Sequence, residues 1–548
     1  MAEPTVRTGH VDTFCADRLP PVALRPVRCF TAIPELDYPV RLNCAAALLD
    51  GAIAAGHGDR IALRTPDTTW SYRELRAAAH RIANVLVYDL GLVPGNRVLL
   101  RGANTPMLAA CWLGVVQAGG VVVCTMALLR EREIRSIAGA AAVAFALTDA
   151  RAAKDCDAAL DGVAAPRTGA PVRVVRFGDP AQELEQRMRA VPDEAGPCDT
   201  AAEDIAIIAF TSGTTGTGKG TMHAHRDLLA ITDCFPRFVL RPTPHDVFCG
   251  SPPLAFTYAL GGLLLFPLRF GASALLLEQA TPPHLVEAIA AYRPTICFTA
   301  PTAYRAMCGL LAEHDVRSLR ACVSAGETLP RAVFDAWEAA TGLRIIDGIG
   351  ATEMLHIFIS AAGEDVRPGA TGRVVPGYEA RIVDDAMQPL PDGVAGRLAV
   401  RGPTGCRYLD DVARQREYVR DGWNLTGDSY RRDAEGYFWY QARTDDIIVS
   451  SGYNIAGPEV ENVLLEHAAV LECAVVGLPH EERGQLVTAF VVLRAGHAGD
   501  EALVKALQDF VKARIAPYKY PRAVHFLPAL PRTSTGKLQR FRLREQST

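Results

Sequence analysis

The apolar run Ile205-Ala-Ile-Ile-Ala-Phe210 leads straight into Thr-Ser-Gly-Thr-Thr-Gly-Thr-Gly-Lys-Gly, residues 211–220. A short apolar run bounded by glycines reads as a buried strand. A strand that ends in glycines, hydroxyls and a lysine presents backbone N–H groups, O–H donors and a cation together, which suits the oxygens of a polyphosphate. A plain Gly/Thr surface loop would look the same in isolation. From Gly213 the residues G-T-T-G-T-G-K-G almost satisfy the P-loop pattern G-x-x-x-x-G-K-[ST], but Gly220 has no hydroxyl for a metal. A nucleotide kinase and a Ser/Thr-rich phosphate loop that finds its metal ligand elsewhere are the two sharper alternatives.

At 548 residues the chain exceeds a single core, so at least two structural units are expected. A net charge of −4 without a long basic run gives nucleic-acid binding no electrostatic support. The fourteen cysteines lack a C-x-x-C pair or any metal-ligand spacing and read as small buried hydrophobes in a reducing compartment. The N-terminus carries early acids and prolines and no apolar signal-peptide core, so a cytoplasmic location is expected. Residues 107–129 carry no charge and are long enough to span a bilayer, but Gln117 and Gly119-Gly120 interrupt them. A buried helix to Gln117, a turn and a strand over 121–124 is the expectation.

The Pro-rich residues 1–45 suggest an irregular strap across the first domain. Ser71 and Glu74 form a capping-box pattern that should open a helix running to Tyr88. A strand over 98–101 follows, and helix and strand alternate to about residue 180, which predicts an α/β body with largely parallel pairing. Beyond the phosphate loop, a helix over 222–232 would point its N-terminus at the anion site. Strands are expected over 263–277 and 296–298, and helices over 302–314 and 330–341. The aromatic stretch 437–442 reads as a strand. After it, from about Arg443, short βα units to Thr548 are enough for a small separate domain.

Several short motifs carry chemistry. Asp347-Gly-Ile-Gly-Ala-Thr-Glu353 sets a hydroxyl and a carboxylate in a turn, and Glu353 could supply the metal oxygen that Gly220 cannot. Thr426-Gly-Asp428 offers a carboxylate apt for vicinal hydroxyls, although most such aspartates only shape turns. Pro531-Arg-Thr-Ser-Thr-Gly-Lys537 is a second glycine–lysine loop. Together with Ser324-Ala-Gly-Glu327, Arg443-Thr-Asp-Asp446 and Ser451-Gly-Tyr-Asn-Ile455, and in this order, they resemble the adenylate-forming superfamily of acyl- and aryl-CoA synthetases, luciferase and peptide-synthetase adenylation domains.

The resemblance implies an adenylate-forming fold: a large multi-subdomain α/β domain over 1–444, binding ATP and the acid, hinged to a small mobile α+β domain over 445–548 that carries the catalytic lysine. Thr211, Ser212, Gly213, Thr214, Thr215, Gly216 and Lys219 would hold the β- and γ-phosphates. Asp347 would accept from the adenine amino group, with Gly326, Glu327, Gly348 and Ile349 around the base. Thr352 would touch the α-phosphate, Glu353 would hold Mg2+, and Asp428 and Arg443 would bind the ribose. Lys537 would bridge the acid and the α-phosphate, Asp445 would be the hinge, and Gly452 and Tyr453 would line the thiol channel. One departure is Gly218, where the family usually has proline. By the proline/glycine argument this adds roughly 0.4–1 kcal/mol of unfolded-state freedom and a more mobile loop.

The acid pocket should be lined by Phe256, Thr257, Tyr258, Ala325, Gly350, Met354 and His356, a set suited to a flat ring with a small polar substituent. His356 could pair with that substituent or serve structurally, bonded to backbone. The stretches 253–258, 347–356 and 450–458 look like those of benzoate- and especially 2-aminobenzoate-CoA ligases. The expected reaction therefore joins an aryl acid to coenzyme A at the expense of ATP. With no carrier domain expected beyond residue 548, a free thiol is the expected acceptor. A medium-chain acid, a carrier protein as acceptor, and nitrite activation for diazotisation of an aromatic amine are the alternatives. The expected partners are these small molecules, with neither nucleic acid nor membrane, and a homodimer is the assembly entertained.

Overall fold

The computed structural model describes residues 7–166, 168–211, 219–443, 446–450, 453–480, 483–515, 517–533, 536 and 538–545. Among these residues the strands form four sheets. The first has six strands in the order Arg173–Phe177, Phe145–Asp149, Arg97–Gly102, Val121–Met126, Ile205–Thr211, Lys219–Ala224. All its pairs are parallel except the last. The second has nine strands, with a parallel centre running from Ile345–Gly350 through Ala321–Ala325, Ile296–Thr299, Val247–Gly250 and Ser273–Leu275 to Ile61–Arg64. One large apolar core draws on helices and strands of both sheets. Such double-sided burial is what makes these strands read as near-continuous apolar runs.

Local signals translate directly into local structure. Ser71 Oγ accepts from the Glu74 amide at 3.2 Å while the Ser71 amide donates to Glu74 Oε2 at 2.7 Å, closing the capping box that starts the helix Tyr72–Asn84. The charge-free stretch divides as expected into the buried helix Pro106–Gln117, a turn with Gly119 at φ +76°, and the strand Val121–Met126. No helix among the described residues is long and apolar enough to cross a membrane. The fourteen cysteines are all free, and ten are buried.

Two expectations fail. Residues 219–224 are not the start of a helix but a strand antiparallel to Ile205–Thr211, with Ile208 opposite Met222 and Thr211 opposite Lys219. Its free edge is taken by a second partner: the Met222 amide donates to the Arg407 carbonyl at 2.8 Å and the Leu409 amide to that of Gly220 at 2.9 Å. Hydrogen bonds from both sides, with Met222 and Ala224 in one core and Thr221 and His223 buried opposite, outweigh the helical pattern. The helix begins only at His225, after the strand, and not at Met222 as expected. The expected strand over 263–277 is likewise largely helical. Thr257–Ala259, Leu260–Leu265 and Phe266–Arg269 form one helical run, and only Ser273–Leu275 is strand. This run is buried on every side, and an apolar stretch without polar faces gives no period to read.

A five-stranded antiparallel sheet over residues 379–443 and a five-stranded sheet over 447–526 complete the chain. The latter is mainly antiparallel, with Ala523–Phe526 alone joining in parallel, and it packs helices Gly457–Leu465 and Glu501–Lys512 around its own apolar core. The short βα units are thus set in the α+β arrangement that the resemblance implied.

Candidate active site

The strand Ile345–Gly350 carries Asp347 and ends in the turn Thr352–Met354. Glycine is required along this edge by close approach: a Cβ on Gly348 would stand 2.8 Å from the Ile357 side chain, and one on Gly350 would stand 2.9 Å from the His356 backbone. Asp347 is only half-buried as a residue, but its Oδ1 is shut off from solvent and has no hydrogen-bond partner among the described residues. Desolvation pushes its carboxyl up to about 7. A cleft opens beside it, bordered by Thr328, Thr371 and Tyr440. Ala325 ends the neighbouring strand, and Gly326 follows at φ +88° with Glu327 beyond it.

The turn at 352–354 is braced from two sides. His223 Nε2 donates to the Thr352 carbonyl at 2.8 Å, and the Tyr408 hydroxyl donates to Glu353 Oε1 at 2.6 Å. Burial and the neighbouring Glu353 charge push the Tyr408 phenol well up, so it remains a donor. Thr404 donates to the Met354 carbonyl at 2.8 Å. Lys219 is half-buried, and burial and the nearby Arg414 lower its pKa while Glu353 opposes them, which makes Lys219 and Glu353 electrostatic neighbours. Tyr408, His223 and Arg414 escaped the sequence reading. No spacing rule connects Tyr408 to a carboxylate so distant in the chain.

Asp428 and Arg443 sit opposite each other on paired strands and form an ion pair at 3.1 Å. Gly427 at φ +78° allows this, because a Cβ there would lie 2.8 Å from the Arg443 guanidinium. Further into the nine-stranded sheet, Tyr258 donates to the Val323 carbonyl at 3.1 Å and stacks near Phe298 and His356. His356 lies among Phe235, Tyr258 and Phe266, the last with its ring centroid at 4.6 Å. Its Nε2 must donate to the Tyr258 carbonyl, 3.2 Å away, and burial pulls its pKa down to about 3. The ring is therefore neutral and Nδ1 carries the lone pair, with no partner among the described residues. Thr257 and Met354 are buried nearby in the chain, while Phe256 is half-buried.

Lys219, Thr352 and Glu353 are thus brought together, and Asp347 lies within the strand Ile345–Gly350 that leads into the 352–354 turn. Ser212, Gly213, Thr214, Thr215, Gly216, Gly218, Asp445, Gly452 and Lys537 lie outside the described residues, as do the side chains of Thr211 and Tyr453. Arg532, next to the last glycine–lysine loop, reaches Glu327 at 3.7 Å and Glu472 at 2.9 Å. No cluster of three or more His, Cys, Asp or Glu side chains suited to a metal exists among the described residues. A single carboxylate that Tyr408 engages through one oxygen fits Mg2+, which takes one or two protein carboxylates and completes its shell with water and substrate phosphates.

Comparisons with known proteins bear on the family of the chain. The model of the AMP-binding enzyme family matches residues 52–408, and that of the AMP-binding enzyme C-terminal domain matches 459–537. A benzoate–CoA ligase of Thauera aromatica is 36% identical over 93% of this chain and 97% of its own. The crystal structure of an anthranilate CoA ligase in complex with anthranoyl-AMP superposes with a TM-score of 0.86 at 33% identity, covering 94% of this chain and 99% of that one. A benzoate CoA ligase from Burkholderia xenovorans LB400 gives 0.83 at 34% identity over 92% of this chain and 100% of its own. With the family matched over most of its length and the fold shared from end to end, the chain belongs to the AMP-binding, adenylate-forming enzymes.

Proposed function

We propose that this enzyme is an ATP-dependent aryl-carboxylate–coenzyme A ligase whose acid is 2-aminobenzoate or another benzoate bearing a hydrogen-bond donor. The supporting observation is His356. It is a neutral imidazole held among aromatic rings, fixed by the Tyr258 carbonyl in the tautomer that leaves Nδ1 as an acceptor. An amino or hydroxyl group on a flat ring would satisfy that acceptor; an unsubstituted ring or an alkyl chain would leave it unpaired, at a cost of about 1–3 kcal/mol.

In the first step the acid's carboxylate oxygen attacks the α-phosphorus of ATP, forming the mixed anhydride and expelling pyrophosphate. In the second the thiol sulfur of coenzyme A attacks the acyl carbonyl, AMP leaves, and the thiol proton passes to solvent. Two anions meet in the first step, so the protein's task is neutralisation and positioning. Lys219 and the hydroxyls of the 211–217 loop bind the leaving phosphates, Asp347 accepts from the adenine amino group, and Asp428 with Arg443 holds the ribose. Magnesium on Glu353 supplies further neutralisation of the phosphate oxygens when bound. Lys537 neutralises the attacking carboxylate and the α-phosphate together. The unit 445–548, hinged at Asp445, then turns to admit the thiol along Gly452 and Tyr453.

The test is ATP–pyrophosphate exchange across 2-aminobenzoate, hydroxybenzoates, benzoate, octanoate and nitrite, with products weighed with and without coenzyme A. Fastest exchange with the amino- or hydroxybenzoates, and a coenzyme A adduct of the same acid, is the expected outcome. Exchange with octanoate or nitrite and none with benzoates would overturn the aryl assignment.

A further inference from the structure

Tyr408 has no part in the mechanism above, yet it is the described residue hydrogen-bonded to the Glu353 carboxylate. Its 2.6 Å bond is in the range of a charge-assisted O–H···O⁻ contact. The ring is 3% exposed and packs edge-on against Tyr418 at 5.8 Å. Its backbone is fixed as well, because the Tyr408 amide donates to Gln415 Oε1 at 2.9 Å, and Gln415 Nε2 donates in turn to the carbonyls of Cys406 and Leu24. The hydroxyl is therefore delivered to one point with little freedom.

The segment that delivers it is the one paired with Lys219–Ala224, the arm by which the chain leaves the phosphate loop. The preceding residue, Arg407, is buried and ion-paired with Asp227, which Arg28 also engages at 3.0 Å and whose Oδ2 accepts from the Ala224 amide at 2.9 Å. Glu203 joins the group through Arg28 at 2.5 Å and Arg407 at 3.5 Å. Partners on three segments of the chain thus lock the 406–409 segment to the loop's arm. A charged group this well compensated holds geometry where an apolar core of the same volume would allow sliding.

We propose that Tyr408 is a positioning residue for the metal-bearing carboxylate: it holds Glu353 through Oε1, turns Oε2 toward a divalent cation, and ties that oxygen to the same support as the phosphate loop. Outer-shell partners of this kind matter because an unrestrained glutamate must be ordered each time a cation binds. The proposal rests on Glu353 being the metal ligand, and the experiment separates the two.

Mn2+ serves as the probe. Its binding to the enzyme carrying an α,β-methylene analogue of ATP, which lacks the Pα–O–Pβ bond that adenylation breaks, is followed by electron paramagnetic resonance for the native chain, Y408F and E353Q. The Mg2+ dependence of pyrophosphate exchange is measured in parallel, with thermal unfolding as the control for folding. Phenylalanine keeps the ring against Tyr418 and removes only the hydroxyl. Y408F is expected to weaken Mn2+ roughly tenfold, at the lower end of what outer-shell losses cost, and to raise the apparent Mg2+ constant far more than it lowers turnover at saturating Mg2+. Weakening in both variants supports the proposal. Weakening in E353Q with native affinity in Y408F overturns it and leaves Glu353 as ligand. Native affinity in both overturns the metal assignment and the proposal with it.

Discussion

The residues proposed to recognise the nucleotide and acid, and the described segment that leads to the proposed catalytic Lys537, are held by different kinds of structure. Asp347, Glu353 and His356 sit on or beside the nine-stranded sheet, in a core where strand pairing and glycine-permitted close approach leave little room. Pro531–Thr533, on the way to Lys537, follow the sheet over 447–526, whose polar contacts to the larger part among the described residues include ion pairs of partly exposed side chains, Arg305 with Glu472 and Arg532 with Glu327 at 3.7 Å, and a bond from Arg305 to the Leu471 carbonyl at 3.0 Å. Burial gives the first set its precision. Weak surface pairing would suit the movement proposed for the second, since exposed pairs contribute about 0–1 kcal/mol each. A domain proposed to alternate between two half-reactions could not be docked through a dry apolar interface.

Removing the delivered group is the largest break in this comparison. Lys537→Ala is expected to cost about 3–4 kcal/mol, roughly 10²–10³ in rate, by analogy with losing one preorganised oxyanion donor. The loss is confined to adenylation: conversion of preformed aryl-AMP and coenzyme A to the thioester is expected to proceed at near-native rate. Equal loss in both half-reactions, measured by pyrophosphate exchange and by single-turnover thioester formation, would mean that Lys537 has been assigned to the wrong step.

The fixed side of the comparison is tested at Gly261. A Cβ there would stand 2.4 Å from His356 Cδ2 and 2.9 Å from Phe266, so Gly261→Ala forces the imidazole out of its aromatic setting. Overpacking of this kind costs about 1–3 kcal/mol. The expected signature is a raised KM for the aryl acid with a nearly native KM for ATP. An equal rise in both would place the damage in the fold instead of the acid site.

Asp347 is the smaller, pH-dependent case. Its ionised form is the stronger acceptor for a donor such as an adenine amino group, so with a pKa near 7 ATP affinity should fall as the pH drops from 8 to 6. Binding should release a proton. For the nucleotide-free protein the sign is opposite. A carboxyl whose folded pKa is raised contributes stability that is full below its unfolded pKa of about 3.9 and is lost as the pH rises through about 7. Asp347→Asn should flatten both profiles while retaining an acceptor oxygen. Calorimetric proton release in two buffers and unfolding midpoints at pH 5 and 8 measure them; a variant with the native pH slopes would exclude Asp347 as their source.

Legibility followed the range of the interaction. The Ser71–Glu74 capping box is a contact across three positions, and its helix starts where the pattern said. The Gly119 turn and the buried helix before it are likewise local. The strand Lys219–Ala224 was misread because its character comes from two distant partners, Ile205–Thr211 and the 407–409 segment. Helix Leu260–Leu265 was misread because complete burial erases the polar face that reveals a period. In the site, Asp347, Glu353, Asp428 and Arg443 were legible as motif residues. Tyr408 and His223, which hold the Glu353 turn, were not, because their partners lie far away in the chain.

The smallest expected effect concerns the surface pairs themselves. Glu472 is shared between Arg305, in helix Pro301–Cys308 of the larger part, and Arg532 beside the lysine loop. Partial burial would raise the Glu472 carboxyl, but Arg532 and Arg305 prevail and hold it below the ordinary range, so the pairing persists at neutral pH. Arg305→Ala removes one contact that favours this arrangement, in which Arg532 also approaches Glu327. The expected cost is at most about 1 kcal/mol, a several-fold change at the upper end. It should appear as slower adenylation with thioester formation unchanged or slightly faster, and it should shrink as salt is raised from 50 to 500 mM, because exposed pairs are screened. A variant that slowed thioester formation more than adenylation would show that the Arg305–Glu472 contact favours the other half-reaction. The weak-docking side of the comparison would then have to be rebuilt around a different contact.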